Sequence, residues 1–157
     1  MKKLLFSLAV IFLLAGCSSE FEGISPEEYI AQNNLNATLI GDDLYIVIHE
    51  QGNELNPDLE DVIDYDFVGR LANTADVFFE QEGLIDQLKN QIPGLRIGLQ
   101  EIGEGGEATI IVPPALGFGP NDFGNIPGKS VLVYDVKINK VNKSVATVDE
   151  YLSLIHI

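Results

Sequence analysis

The segment "SVLVYDVKINKV" (residues 130–141) alternates apolar and polar side chains with a period of two. Leu132, Tyr134, Val136 and Ile138 share one face, while Asp135 and Lys137 fall on the other. A strand with one buried and one wet face uses this pattern; a helix does not. "VIDYDFVG" (residues 62–69) repeats it, with Ile63, Tyr65 and Phe67 set against Asp64 and Asp66. "DLYIVIHE" (43–50) and "ATIIVPP" (108–114) add two further strand-like runs, the second expected to turn Ile110 and Val112 inward. The connections are too short for parallel crossovers, so the sheet is expected to be antiparallel.

One helix fits between these strands. In "IPGLRIGLQEI" (92–102) Pro93 suits a first helical turn, and Leu95, Leu99 and Ile102 recur at i, i+4 and i+7. An α+β fold with an antiparallel sheet over one short α-helix accounts for the pattern. The rest of the domain reads as connections: a loop at "QGNELNPDLED" (51–61), a turn at "ANTAD" (72–76), a short apolar "VFF" (77–79) and a polar "EQEGLIDQLKNQ" (80–91).

The N-terminus sets the expected compartment. "MKKLLFSLAVIFLLAGC" (1–17) has two lysines, an apolar run over residues 4–15 and small residues before Cys17. This is the layout of a secretory signal peptide, and the run is short for a membrane span. "LAGC" (14–17) resembles the lipobox of bacterial lipoproteins, which makes Cys17 the expected lipidated first residue of the mature chain. An ordinary signal peptide with an incidental cysteine is the alternative. Cys17 is the only cysteine, so no intrachain disulfide can form. Ser18 in the next position resembles lipoproteins sorted to an outer membrane, and Glu20 and Glu22 accompany surface export in some bacterial groups. The expected location is therefore the cell envelope, lipid-anchored, on the periplasmic or surface face of an outer membrane.

The formal charge is −15 and becomes −17 once residues 1–16, with Lys2 and Lys3, are removed. Phosphate backbones and anionic headgroups are repelled by such a body, so no nucleic-acid partner is expected and the lipid alone would hold the membrane. Residues 17–42 read as a tether with one marginal helix, in which Ser25 is the N-cap, Pro26 the first position and Glu28 closes a capping box. Residues 43–143 form the domain and 144–157 a tail. Its end, "LSLIHI" (152–157), resembles the read-through of a sequencing adapter and is left out of the fold.

Chemistry is sparse. Glu60, Asp61, Asp64 and Asp66 lack EF-hand spacing, so wet-face carboxylates describe them better than a calcium site. "GEGGE" (103–107) is not flanked as a phosphate loop must be, and no cofactor or metal is expected. The loop "PPALGFGPNDFGNIPGK" (113–129) has no histidine, cysteine or serine–base pair, yet it carries two phenylalanines between glycines and prolines.

Taken in order, "DFVGRL", "VFF", "IPGLRIGLQEIGEGGEATIIVPPALGFG" and "NIPGKSVLVYDVKI" resemble an FKBP-type prolyl isomerase over most of residues 43–143. The resemblance implies a twisted antiparallel sheet wrapped around a short helix, with an apolar prolyl pocket between them. By position, Phe67, Phe78, Ile92, Leu95, Phe118, Ile126 and Tyr134 would line that pocket, with Phe118 and Ile126 on a flap and Tyr134 as its floor. It also implies X–Pro segments of exported polypeptides as partners, and a monomer.

Departures from the family are equally specific. Phe67 stands where the family commonly has tyrosine, Phe79 where it has aspartate, Phe118 where it has the flap tyrosine and Leu95 where it has tryptophan. Residues 78–92 are shorter than usual and offer no counterpart for a further pocket aromatic. Two functions remain open: a lipid-anchored isomerase assisting the folding of exported proteins, or a non-catalytic relative that holds peptide as a chaperone or assembly factor.

Overall fold

In the computed structural model, which describes residues 23–144, the two longest alternating segments lie side by side. β3 (Val62–Leu71) and β6 (Leu132–Asn142) pair antiparallel along their whole length. β1 (Thr38–Gly41), β2 (Leu44–Glu50), β4 (Val77–Gln87) and β5 (Glu107–Val112) complete a six-stranded sheet of order β1-β2-β5-β6-β3-β4. Every pairing is antiparallel. β3 alternates half-buried and buried residues without a break, with Ile63, Tyr65 and Phe67 inward.

The inner face packs against α2 (Pro93–Leu99), which buries Leu95 and Leu99, with Ile102 buried just beyond it. A seven-residue helix cannot hold itself together in water, so it depends on this contact. Gly94 and Gly98 make the contact close. A Cβ on Gly94 would lie 2.4 Å from Val112 Cγ1, and one on Gly98 would lie 2.6 Å from Ile110 Cδ1. Both partners are inward residues of β5.

Three features go beyond the sequence reading. Ile111, between the two inward residues of β5, is also buried, as is its cross-strand partner Val133. Both lie on the face away from α2. There Tyr45, paired with Ile111, donates its hydroxyl to Glu27 of α1 (Pro26–Gln32) at 2.8 Å. α1 carries the full capping box of Ser25 and Glu28, and it makes two helices where one belonged to the domain.

The sheet also begins earlier than the boundary expected between residues 42 and 43. That boundary falls in the turn joining β1 to β2, and Ile40 of β1 packs on the core. Finally, "VFF" and most of the polar stretch after it form one 11-residue edge strand, β4. Its pairing with β3 runs from Arg70↔Val77 to Val62↔Gln87, interrupted by two register shifts. Gly83 sits at φ 59, where glycine is unstrained, and its N–H donates to Asp66 Oδ1 at 2.7 Å.

The carboxylates of Glu60, Asp61, Asp64 and Asp66 have partners within the protein. Glu60 pairs with Lys89, Asp61 with Lys143, and Asp64 and Asp66 both accept from Asn139. Residues 1–22 and 145–157 lie outside the described residues, so the readings of the signal peptide, Cys17 and the final residues are not addressed by the fold.

Candidate functional site: an apolar cleft between sheet and flap

A cavity of about 430 Å3 opens between the inner face of the sheet, the start of α2 and the loop before β6. All seven residues named from the sequence line it. Phe67 comes from the middle of β3, Phe78 from the start of β4 and Tyr134 from β6. Ile92 and Leu95 come from the entry and first turn of α2, Phe118 and Ile126 from the loop.

Aromatic geometry builds the walls. Phe78 meets Tyr134 edge to face at 5.7 Å and 85°, and Phe118 at 6.5 Å and 86°. Such T-shaped contacts put a positive ring edge on a negative face and hold the rings at defined angles. Gly69 makes room for them: a Cβ there would lie 2.6 Å from Phe78 Cζ and 2.9 Å from Tyr134 Cε1. The glycine after the strand aromatic is thus a requirement of the pocket wall.

The flap is shaped by backbone hydrogen bonds. Phe123 and Ile126 exchange N–H···O bonds of 2.9 Å each, closing a tight reversal with Gly124 at φ 57. Lys129 N–H donates to Gly119 O, and Gly128 N–H to Asp122 Oδ1. These contacts turn Ile126 into the cavity, where it is buried. They also lay Phe123 on Phe118 at 4.6 Å, nearly parallel, with Phe123 60 % exposed at the mouth.

The cavity floor is neutral. Burial, then the nearby Tyr65, pushes the Tyr134 phenol pKa well above its ordinary value, so it remains protonated. His49, the only histidine among the described residues, hydrogen-bonds Thr109 and lies beside a separate hollow with Asp135 and Lys137. It is not placed for proton transfer in the cleft. What the arrangement can do is enclose a small apolar ring and strip water from the amide attached to it.

Sequence reasoning missed one wall. Leu84 and Asp86 of β4, with Asn90 and Gln91, fill the side for which no aromatic counterpart was found, and Phe123 and Asn125 complete the mouth. The bulges of β4 decide which of its side chains turn inward, and a bulge leaves no period-two trace. Phe79, identified as a departure, also borders the cavity, stacked on Phe67.

Comparison with known proteins agrees with this geometry. Residues 54–139, more than half of the chain, match the model of the FKBP-type peptidyl-prolyl cis-trans isomerase family. The chain is 31 % identical over 120 residues to a probable FKBP-type peptidyl-prolyl cis-trans isomerase FkpA of Neisseria meningitidis, covering 73 % of this chain and 43 % of that protein. It is 41 % identical over 51 residues to FkpA of Buchnera aphidicola, covering 32 % of this chain and 20 % of that one. The chain thus spans less than half the length of these curated relatives.

Among solved structures, a peptidyl-prolyl cis-trans isomerase from Pseudomonas syringae superposes with a TM-score of 0.67 at 19 % identity, over 75 % of this chain and 91 % of that one. At that identity the likeness speaks for the fold. FkpA from Escherichia coli gives 0.66 at 27 % identity, over 74 % and 55 %. The motif order, the sheet with its packed helix and the family match over the residues that build the cleft converge on one assignment: this chain belongs to the FKBP-type peptidyl-prolyl cis-trans isomerase family.

Proposed function

We propose that the chain is a peptidyl-prolyl cis-trans isomerase acting on X–Pro segments of exported polypeptides, held in the cell envelope by a lipid on Cys17. The cleft is the observation that carries the reading: a cavity of about 430 Å3, walled by the apolar side chains of Phe67, Phe78, Leu95, Phe118 and Tyr134, large enough for a prolyl ring and its neighbours.

Such a site needs no general acid, base or metal. The X–Pro bond resists rotation by about 18–20 kcal/mol because resonance gives it double-bond character. The resonance form is dipolar, and water favours it over the twisted amide. An apolar cleft removes that preference, and contacts that fit the twisted amide better than the planar one lower the barrier further. Uncatalysed exchange takes tens to hundreds of seconds, slow enough to limit folding.

A second reading is favoured by one observation. Phe67, Phe79 and Phe118 replace family groups that carry a hydroxyl or a carboxylate, leaving few handles for orienting the bound peptide. A non-catalytic peptide holder would need no such handles. Acceleration of cis-trans exchange in a short Leu–Pro peptide, followed by magnetisation-exchange NMR, separates the two. Exchange above background supports the isomerase. Binding without acceleration, by a folded protein, transfers the function to peptide holding. The anchor has its own test: Cys17→Ala is expected to move the protein from membrane to soluble fractions, and unchanged membrane fractionation would remove the lipoprotein reading.

A further inference from the structure

We infer that Asp86 makes the cleft selective for X–Pro segments carrying lysine or arginine next to the proline; this rests on the isomerase reading above. Asp86 is the only charged residue among those lining the cavity. It lies near the end of β4, opposite Ile63 in the register, and the chain then folds back through a 3-10 turn at Leu88–Asn90. That reversal brings Asn90 and Gln91 to the same rim, beside Ile92.

The carboxylate is held in place without being neutralised. Its Oδ1 accepts from the Gln87 N–H and from Asn90 Nδ2, both at 2.7 Å, and its Oδ2 accepts from Gln91 Nε2 at 3.0 Å. All three donors are uncharged. A carboxylate has about four acceptor positions, so three neutral bonds orient the group and leave capacity on Oδ2.

Other carboxylates of the domain are treated differently. Asp61, Glu60, Glu107 and Asp135 each pair with a lysine or arginine, whereas no ion pair among the described residues includes Asp86. Many surface carboxylates are also unpaired, but those remain in water. Asp86 borders an apolar cavity from which a bound peptide displaces water, and there an uncompensated charge is unfavourable. A cationic side chain beside the proline removes that penalty, and an acidic one adds to it.

The test uses the full-length chain and peptides Ala–X–Pro–Phe and Ala–Ala–Pro–X, with X as Lys, Leu or Glu. The pair is partly exposed, so the expected preference is modest: Lys over Glu by roughly 3- to 30-fold in kcat/KM in at least one series. Asp86→Asn should bring that ratio close to one, and Asp86→Lys should invert it. Glu54→Gln removes the same charge from an exposed site away from the cleft. It should leave the ratio as it was, separating Asp86 from the general negative field. Equal rates for Lys, Leu and Glu in both series overturn the inference while leaving isomerase activity intact. A ratio that survives Asp86→Asn, or falls equally with Glu54→Gln, also overturns it. Failure to bind or turn over any peptide removes the isomerase reading itself, and this inference with it.

Discussion

The rings of Phe67 and Phe79 lie 5.3 Å apart and 14° from parallel, stacked across β3 and β4 at the side of the cleft. Phe67 is nearly buried and Phe79 is half exposed, so the pair closes the pocket with one ring while the other faces solvent. These are the two positions at which the family commonly has tyrosine and aspartate. In contact here, the two rings match each other, so neither side chain faces an unpaired polar partner.

Restoring the polar pair tests that contact. Phe67→Tyr is expected to bury a hydroxyl without a partner and to cost about 1–3 kcal/mol. Phe79→Asp loses the stacking term of about 0.5–1.5 kcal/mol and little else, because the site is half exposed. The double variant is expected to be more stable than the singles add up to, by about 0.5–3 kcal/mol. Urea denaturation of the four proteins measures this, and strict additivity would contradict it.

Tyr65 supplies a prediction of opposite sign. Its ring stacks on Phe67 at 5.4 Å, it is fully buried, and its hydroxyl has no hydrogen-bond partner among the described residues. Burial, then the charge of Asp86, holds its phenol pKa well above the ordinary value. An unpaired buried hydroxyl costs about 1–3 kcal/mol, so Tyr65→Phe is expected to raise stability by about 1 kcal/mol. A loss of similar size in the urea midpoint would show that the hydroxyl has a partner.

Gly98→Ala sets two effects against each other. Alanine improves helix propensity by about 0.8–1.0 kcal/mol. The new Cβ, however, would sit 2.6 to 2.9 Å from Cδ1, Cγ1 and Cγ2 of Ile110, so the whole side chain must move. Overpacking of this kind costs about 1–3 kcal/mol, and net destabilisation is expected. Thermal denaturation decides the sign, and a more stable variant would mean that α2 can lift from β5 without penalty.

Asp61 is expected to contribute to the acid limb of stability. Its burial alone would raise the pKa. Hydrogen bonds from the Asp58 and Ser144 N–H groups, with the Lys143 ammonium, outweigh burial and hold it below the ordinary 3.8. A depressed carboxyl contributes stability that is fully present above the unfolded-state value and is lost as pH falls through the folded-state value. Stability should therefore decline below about pH 4. Asp61→Asn should cost about 1–3 kcal/mol at pH 7 and flatten that decline. Melting temperatures from pH 2.5 to 7 check both, and parallel curves for the two proteins would refute the assignment.

What could be read in advance follows a physical line. The alternation of β3 and β6 is set by residues two apart, so it reveals the buried face before any partner strand is known. The same holds for Leu95, Leu99 and Ile102 on the helix. Phe67, Leu95 and Tyr134 on those elements could therefore be read as inward-facing, and the family resemblance added their place in the pocket, with Phe118 and Ile126 from the "GFG" and "NIPG" turns.

β4 was not accessible in this way. It is held by backbone hydrogen bonds to β3, which leave no mark in side-chain chemistry, and as an edge strand it keeps most of its residues exposed, without a regular buried face. The sequence by itself determined the antiparallel class, the inward faces of β3 and β6, the helix against them and the apolar character of the cleft. Only the tertiary structure decided that Asp86 and Leu84 form a wall, that Ile111 and Val133 are buried on the outer face, and that β1 belongs to the sheet. Periodicity reports local geometry along one strand. Register, bulges and the coverage of a second face arise from contacts between segments far apart in the chain.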